Sequence, residues 1–253
     1  MNDYTDIWLS RTTPTQNNQH DYRLICFPHA GGTASFFRSW GSKLADFEVC
    51  AVRYPGRTER IDESQPTDLL HLAKDIAKAV EPLTDLPLVL FGHSMGAAVA
   101  LETARALEKK GVLIIHLFAS GSRNGPCPPR EQYAEEGDES LCKNLIEMGG
   151  TNPEAAKDPI FFELVLPAIR ADGKMFHEYE MDFEPYLNCP VTTIYGDVDN
   201  HADVRPWQKI TSAQISEQCV TGNHFYLISE PPFDIIKKGI ETYSDSKMSV
   251  SLL

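Results

Sequence analysis

Five short apolar runs, at residues 23–27, 49–54, 86–91, 113–119 and 191–195, are rich in β-branched and aromatic side chains and bounded by Gly, Pro or Asp. Runs of that length predict buried strands. Between them apolar residues return at steps of three and four. Leu69, Leu72, Ala73, Ile76 and Val80 mark one helix, and residues 97–107 mark a second that stops at Lys109, Lys110 and Gly111. A further strand at 216–220 and an amphipathic helix at 233–243 follow. Strand alternating with helix predicts an α/β domain, in which right-handed crossovers build a mainly parallel central sheet with helices on both faces. Such sheets bind ligands at the carboxyl ends of their strands.

The rhythm breaks between residues 122 and 182, a stretch with no obvious strand but with helical segments at 140–148 and 161–171. We read 122–182 as a helical lid inserted into one domain that spans 1–253, and the serine-rich residues 244–253 as a flexible tail. The lid holds 13 Asp+Glu against 6 Lys+Arg, so its net −7 is about half of the −13 of the whole chain. That balance argues against a nucleic acid or an anionic membrane as the main partner, since both reward clustered Lys and Arg. Residues 1–20 lack the basic-then-apolar order of a signal peptide, and the longest apolar runs, such as 112–120, are interrupted and too short to span a bilayer. A soluble, cytoplasmic protein is expected. Cys26, Cys50, Cys127, Cys142, Cys189 and Cys219 form no C-x-x-C pair, and four of them lie in or beside apolar runs. They read as small buried hydrophobes in a reducing compartment, with no metal site.

The strongest local signal is Gly92-His93-Ser94-Met95-Gly96, between the strand at 86–91 and the helix that begins near Met95. A nucleophile elbow needs a strand, a tight turn that strains the serine, and then a helix, with glycines two residues either side to let the chain pass. Ser94 would stand above the sheet with the amino end of a helix behind it, where partial positive charge favours an oxyanion. The Met95 N–H is one oxyanion donor. The loop Phe27-Pro28-His29-Ala30-Gly31-Gly32 is placed to give the second, from the N–H of Ala30; its other reading is an ordinary Gly-rich turn.

After such an elbow the triad partners follow in the order acid, then histidine. His20, His29 and His71 precede Ser94, His93 lies in the elbow, His116 in a predicted strand, and His177 in the lid before the last clear strand. His201 stands two residues from the best acid, too close for both side chains to be placed independently. His224, between the strand at 216–220 and the last helix, remains. The acid should follow the strand at 191–195, where the loop Gly196-Asp197-Val198-Asp199 offers two. Asp199 is preferred and Asp197 is the alternative, the other aspartate being a turn or cap residue. Asp203 reads as an N-cap for a short helix around Trp207. Ser94, His224 and Asp199 together would pass an acyl group through a covalent enzyme intermediate to water, a chemistry open to esters, thioesters and amides.

From Trp8 to about Tyr243 the sequence resembles the type II thioesterases, the free-standing editing enzymes of non-ribosomal peptide and polyketide synthetases. The motifs, in order, are 27–32, Tyr54-Pro55-Gly56-Arg57 with Arg60, 92–97, Leu166-Pro167-Ala168-Ile169-Arg170-Ala171-Asp172, 196–199 and His224-Phe225. The resemblance implies an α/β-hydrolase fold and hydrolysis of wrongly loaded or stalled acyl groups from the phosphopantetheine thiol of acyl or peptidyl carrier proteins, met transiently. It implies no cofactor, because the phosphopantetheine belongs to the substrate. It maps the catalytic serine, acid and histidine onto Ser94, Asp199 and His224, and the oxyanion amides onto Ala30 and Met95. Asn223 departs from the family, which more often has glycine there. Arg57 and Arg60 are candidates to shape the entrance or meet the carrier's phosphate, with surface salt bridges as the plainer role. A carboxylesterase or lipase of the same fold would share the triad, and a hydrolase-like binding module would hold a ligand without turnover.

Overall fold

Burying an apolar stretch of backbone requires a partner for every N–H and C=O, and the predicted strands supply that to one another. The computed structural model describes residues 3–12, 20–127 and 135–250. Its strands are β1 (Leu9–Arg11), β2 (Tyr22–Phe27), β3 (Phe47–Val52), β4 (Leu88–His93), β5 (Ile114–Ser120), β6 (Ser122–Asn124), β7 (Val191–Gly196), β8 (Asp203–Arg205) and β9 (Ile215–Val220). Seven of them form one sheet in the order β1-β3-β2-β4-β5-β7-β9. β1 runs antiparallel to β3 and every other pair in that sheet is parallel. The helices are α1 (Asp3–Trp8), α2 (Leu69–Val80), α3 (Met95–Glu108), α4 (Asp138–Met148), α5 (Leu166–Glu178) and α6 (Phe233–Val250).

The central strands are buried along nearly their whole length and mostly apolar because both faces are covered, and their few polar side chains, such as Arg23, Glu48 and His116, are buried with partners. Ile25 and Phe27 of β2 and Leu88 and Leu90 of β4 enter the core under α2 and α3, while Leu24, Cys26, Val89 and Phe91 enter the core that holds Phe37, Trp40 and Ile236 of α6. The chain leaves β2 outward to β3 and returns to β4, so the strand order reverses between β2 and β4, and the loops after these two strands part at their carboxyl ends. A crevice at that switch point is where such sheets place their ligands.

Four local features differ from the sequence reading. β4 starts at Leu88, past Pro87, which has no N–H to give the ladder. The lid contains a strand after all, β6, which pairs in parallel with β8 in a separate two-stranded sheet; three residues carry no periodicity to read. Asp203 lies in β8 and accepts from Arg205 Nε at 2.6 Å, while Pro206 takes the cap position of the turn at Trp207. The helix expected to end near Tyr243 continues to Val250, since no Gly or Pro stops it before then; residues 251–253 lie outside the described residues. Cys26, Cys50, Cys142 and Cys189 are buried, Cys127 and Cys219 exposed, and all six are free thiols. Among the described residues no helix is long and apolar enough to cross a membrane, and no three His, Cys, Asp or Glu side chains gather as a metal site.

Candidate active site

β4 ends directly in the elbow. Ser94 has φ 56° and ψ −124°, a conformation that strains any residue with a side chain, and α3 starts at the next residue. The glycines on either side are steric requirements. A Cβ on Gly92 would lie 2.1 Å from the Gly96 carbonyl oxygen, and one on Gly96 would lie 2.2 Å from that of Phe27. The elbow is thus wedged against the end of β2, and the Ser94 N–H donates to the Ser120 carbonyl at 2.7 Å on the other side. Beneath it His93 Nδ1 meets Ser120 Oγ at 2.9 Å, and Ser120 Oγ meets the Tyr226 hydroxyl at 2.7 Å.

Asp199 follows β7 and His224 follows β9. His224 Nδ1 and Asp199 Oδ2 are 2.9 Å apart and both side chains are buried, so the ring's Nε2 edge is left for the cavity. The second Asp199 oxygen accepts the backbone N–H of His201 at 2.9 Å, which is how His201 takes part. Asp197 instead accepts the Gly222 N–H at 2.8 Å and ties the end of β7 to the histidine loop as a turn residue. Asn223 Oδ1 accepts the Phe225 N–H at 3.0 Å, and the Asn223 amide packs on Gly149, the left-handed cap of α4.

Ser94, His224 and Ala30 line one cavity of about 270 Å³, roofed by Leu141, Leu145 and Met148 of α4 and by Ile169, Gly173 and His177 of α5. A neighbouring cavity of about 220 Å³ shares His29, Ala30, Leu145, Ile169 and Phe225 with it. Met95, the first residue of α3, has an N–H with no partner inside the helix. In the loop after β2 the Gly32 N–H donates to the His29 carbonyl at 2.9 Å, and Gly31 has φ 71°. The arrangement offers a strained hydroxyl and a carboxylate-held imidazole on a largely apolar chamber that Ala30 also lines. That is the equipment of acyl transfer through a serine ester.

The Thioesterase domain family matches residues 22–242. The chain belongs to the thioesterase family. Thioesterase PikA5 of Streptomyces venezuelae is 35% identical over 233 residues, which are 90% of this chain and 82% of that protein. The solved structure of the type II thioesterase BorB from the borrelidin biosynthetic cluster superposes with a TM-score of 0.80 at 32% identity, covering 94% of this chain and 100% of BorB. YbtT, a type II thioesterase from the yersiniabactin NRPS/PKS biosynthetic pathway, superposes with a TM-score of 0.79 at 30% identity over 92% of this chain and 97% of its own. The resemblance drawn from the motifs therefore holds across nearly the whole thioesterase, which is a thioester hydrolase on a mostly parallel α/β sheet with helical insertions.

Two arginines of this thioesterase do not stand where a surface role would put them. Arg57 is buried and forms a bidentate pair with Asp172 of α5, at 2.6 Å and 2.8 Å. Arg60 is buried against the Trp8 ring and held by Glu63. Neither is free to meet a phosphate at the entrance. The role of Asp172 escapes the sequence reading, yet a signal exists. Ala168, Asp172 and Met175 fall on one buried stripe of α5, and a carboxylate on such a stripe requires a cation from elsewhere in the fold.

Desolvation also holds three histidines of the thioesterase neutral, His93 and His116 buried in the fold and His29 half-buried at the cavity wall. The His29 imidazole is pushed down to about 3 by desolvation and then by the charges of His224 and Arg57. His93 lies well below its ordinary value, again through burial and then the neighbouring His224 and His29, and His116 is pushed down by burial to about 4. Their unfolded value of about 6.5 is higher, so the unfolded chain takes up protons first as pH falls. The stability they leave intact is fully present above about pH 6.5 and is lost below it, by up to about 1.4 kcal/mol per pH unit for each histidine. Urea unfolding should show the midpoint falling steeply between about pH 6.5 and about pH 4; a flat profile would contradict the neutral assignment.

Proposed function

We propose that this thioesterase clears wrongly loaded or stalled acyl groups from the phosphopantetheine thiol of acyl or peptidyl carrier proteins, acting transiently and in the cytoplasm. Ser94 Oγ attacks the thioester carbonyl while His224 Nε2 takes its proton, and Asp199 fixes the tautomer and stabilises the imidazolium. The N–H groups of Ala30 and Met95 receive the oxyanion. Collapse breaks the C–S bond, the imidazolium protonates the leaving thiol, and the acyl group remains on Ser94 as an ester. Water, deprotonated by His224, then attacks the ester and releases the carboxylic acid. The scheme needs no cofactor, because the phosphopantetheine is part of the substrate.

The observation that carries this reading is one cavity under the lid that joins the strained Ser94 to the buried Asp199–His224 pair. A chamber roofed by α4 and α5 suits a long, narrow arm. The likeness to BorB and YbtT supports a carrier-bound substrate over a free ester. Intact mass spectrometry of an acetyl-loaded carrier protein, timed with catalytic enzyme and with Ser94→Ala as control, tests it. Loss of the acetyl group with wild type alone is expected. Retention of acetyl on the carrier, with hydrolysis of acyl-CoA or small esters instead, would overturn the carrier assignment.

A further inference from the structure

The loop that would supply the second oxyanion donor is held both by its own backbone and by the lid. His29 to Gly32 form a turn closed by the Gly32 N–H to the His29 carbonyl. Gly31 has φ 71° whereas Ala30 does not enter the positive range, which is the pattern of a type II turn. In such a turn the peptide between the two central residues, here Ala30–Gly31, is the one whose reversal converts type II to type I. Two residues of α5 prevent that reversal. Asp172 Oδ2 accepts the Gly31 N–H at 2.7 Å, and a reversed peptide would turn the Ala30 carbonyl towards the carboxylate instead. Ile169, three residues earlier on the same face, lies where a Gly31 Cβ would be, with its Cγ1 at 2.2 Å. Asp172 is wholly buried, and Arg57 from the loop after β3 neutralises it through two hydrogen bonds.

We infer that Asp172 is a positioning residue for the oxyanion hole: by holding the Gly31 N–H it anchors the turn whose first peptide, His29–Ala30, carries the Ala30 N–H, and it makes the placement of that donor conditional on the lid helix α5 being seated on the β2 loop. The inference rests on the proposed role of Ala30 and Ser94. It explains why the buried lid carboxylate Asp172, neutralised by Arg57, is hydrogen-bonded to a loop 141 residues away in the chain. It also predicts that substrate binding and transition-state binding respond differently to the pair, because an oxyanion donor matters most once the carbonyl oxygen is charged.

Removing one partner alone strands a buried charge and threatens folding, so the test uses two charge-neutral doubles. Asp172→Leu with Arg57→Met deletes the acceptor of the Gly31 N–H. Asp172→Asn with Arg57→Gln keeps an oxygen for it. Each is measured for its thermal midpoint, for kcat and KM on an acyl-pantetheine thioester, and for affinity towards two probes. One is an alkyl boronic acid, which forms a tetrahedral adduct on serine, and the other is an amide-linked acyl-pantetheine that mimics the ground state. For the Leu/Met protein we expect boronate affinity and kcat to fall by about tenfold to about a hundredfold, with amide affinity and KM within about twofold of wild type. The Asn/Gln protein should recover most of the loss. Wild-type boronate affinity in a folded Leu/Met protein, or equal weakening of both probes, would overturn the inference while leaving the proposed function standing. Failure of the boronate to add to Ser94 in wild type would remove both.

Discussion

Ser94→Ala is expected to remove acyl-enzyme formation altogether and to lower thioester turnover by a factor on the order of 10⁶. The hydroxyl is the only atom at the elbow that can form the ester, and nothing else in the proposed scheme replaces it. The fold should be indifferent to the change. The turn is imposed by Gly92 and Gly96 against Phe27 and by the Ser94 backbone bond to Ser120, and alanine keeps the same backbone demand at φ 56°. Intact mass after mixing with an acyl-pantetheine thioester should show an acyl adduct on a slowly deacylating wild-type sample and none on the variant, with superimposable thermal unfolding. Wild-type turnover by Ser94→Ala would end the serine mechanism.

The parts of this site that can be read from sequence are those whose geometry is local. The elbow is legible because strain, glycine spacing and helix start all fall within five residues, at 92–96. The strands are legible because burial on both faces leaves them mostly apolar, with few polar positions. Asp199 and His224 are found only by chain order together with loop position, and Asp197 stays open until the structure shows its carboxylate turned to Gly222. Arg57 illustrates the opposite case. Nothing near Pro55 or Gly56 shows that its partner is Asp172, 115 residues further on, so a surface role looks natural until the lid is docked. β6 and β8 fail for the same reason, since each is defined by the other and not by any pattern of its own. The extension of α6 to Val250 is a different kind of miss, in which a serine-rich composition outweighed the absence of a stop signal.

Asp199→Asn should lower kcat by roughly 10⁴ while Asp197→Asn changes it by less than about tenfold. The difference follows from what each carboxylate holds. Asp199 accepts from the ring nitrogen of His224 with one oxygen and from the His201 N–H with the other. In the asparagine variant the backbone N–H of His201 keeps the amide oxygen, which leaves the amide NH₂ facing His224 Nδ1. The ring can then pair only as an acceptor at Nδ1, with its proton moved to Nε2, the atom that must take the proton of Ser94. The base is therefore in the wrong tautomer, and an imidazolium formed there would lack its buried counter-charge. Asp197 accepts a single backbone N–H, from Gly222, and an asparagine oxygen can accept it as well. Both variants should fold, so the comparison isolates the electrostatic role from the turn. A falling kcat in Asp199→Asn that recovers as pH rises, when hydroxide attack replaces the general base, would support the tautomer argument. Equal losses from the two substitutions would instead make the loop, and not the carboxylate beside His224, the source of the effect.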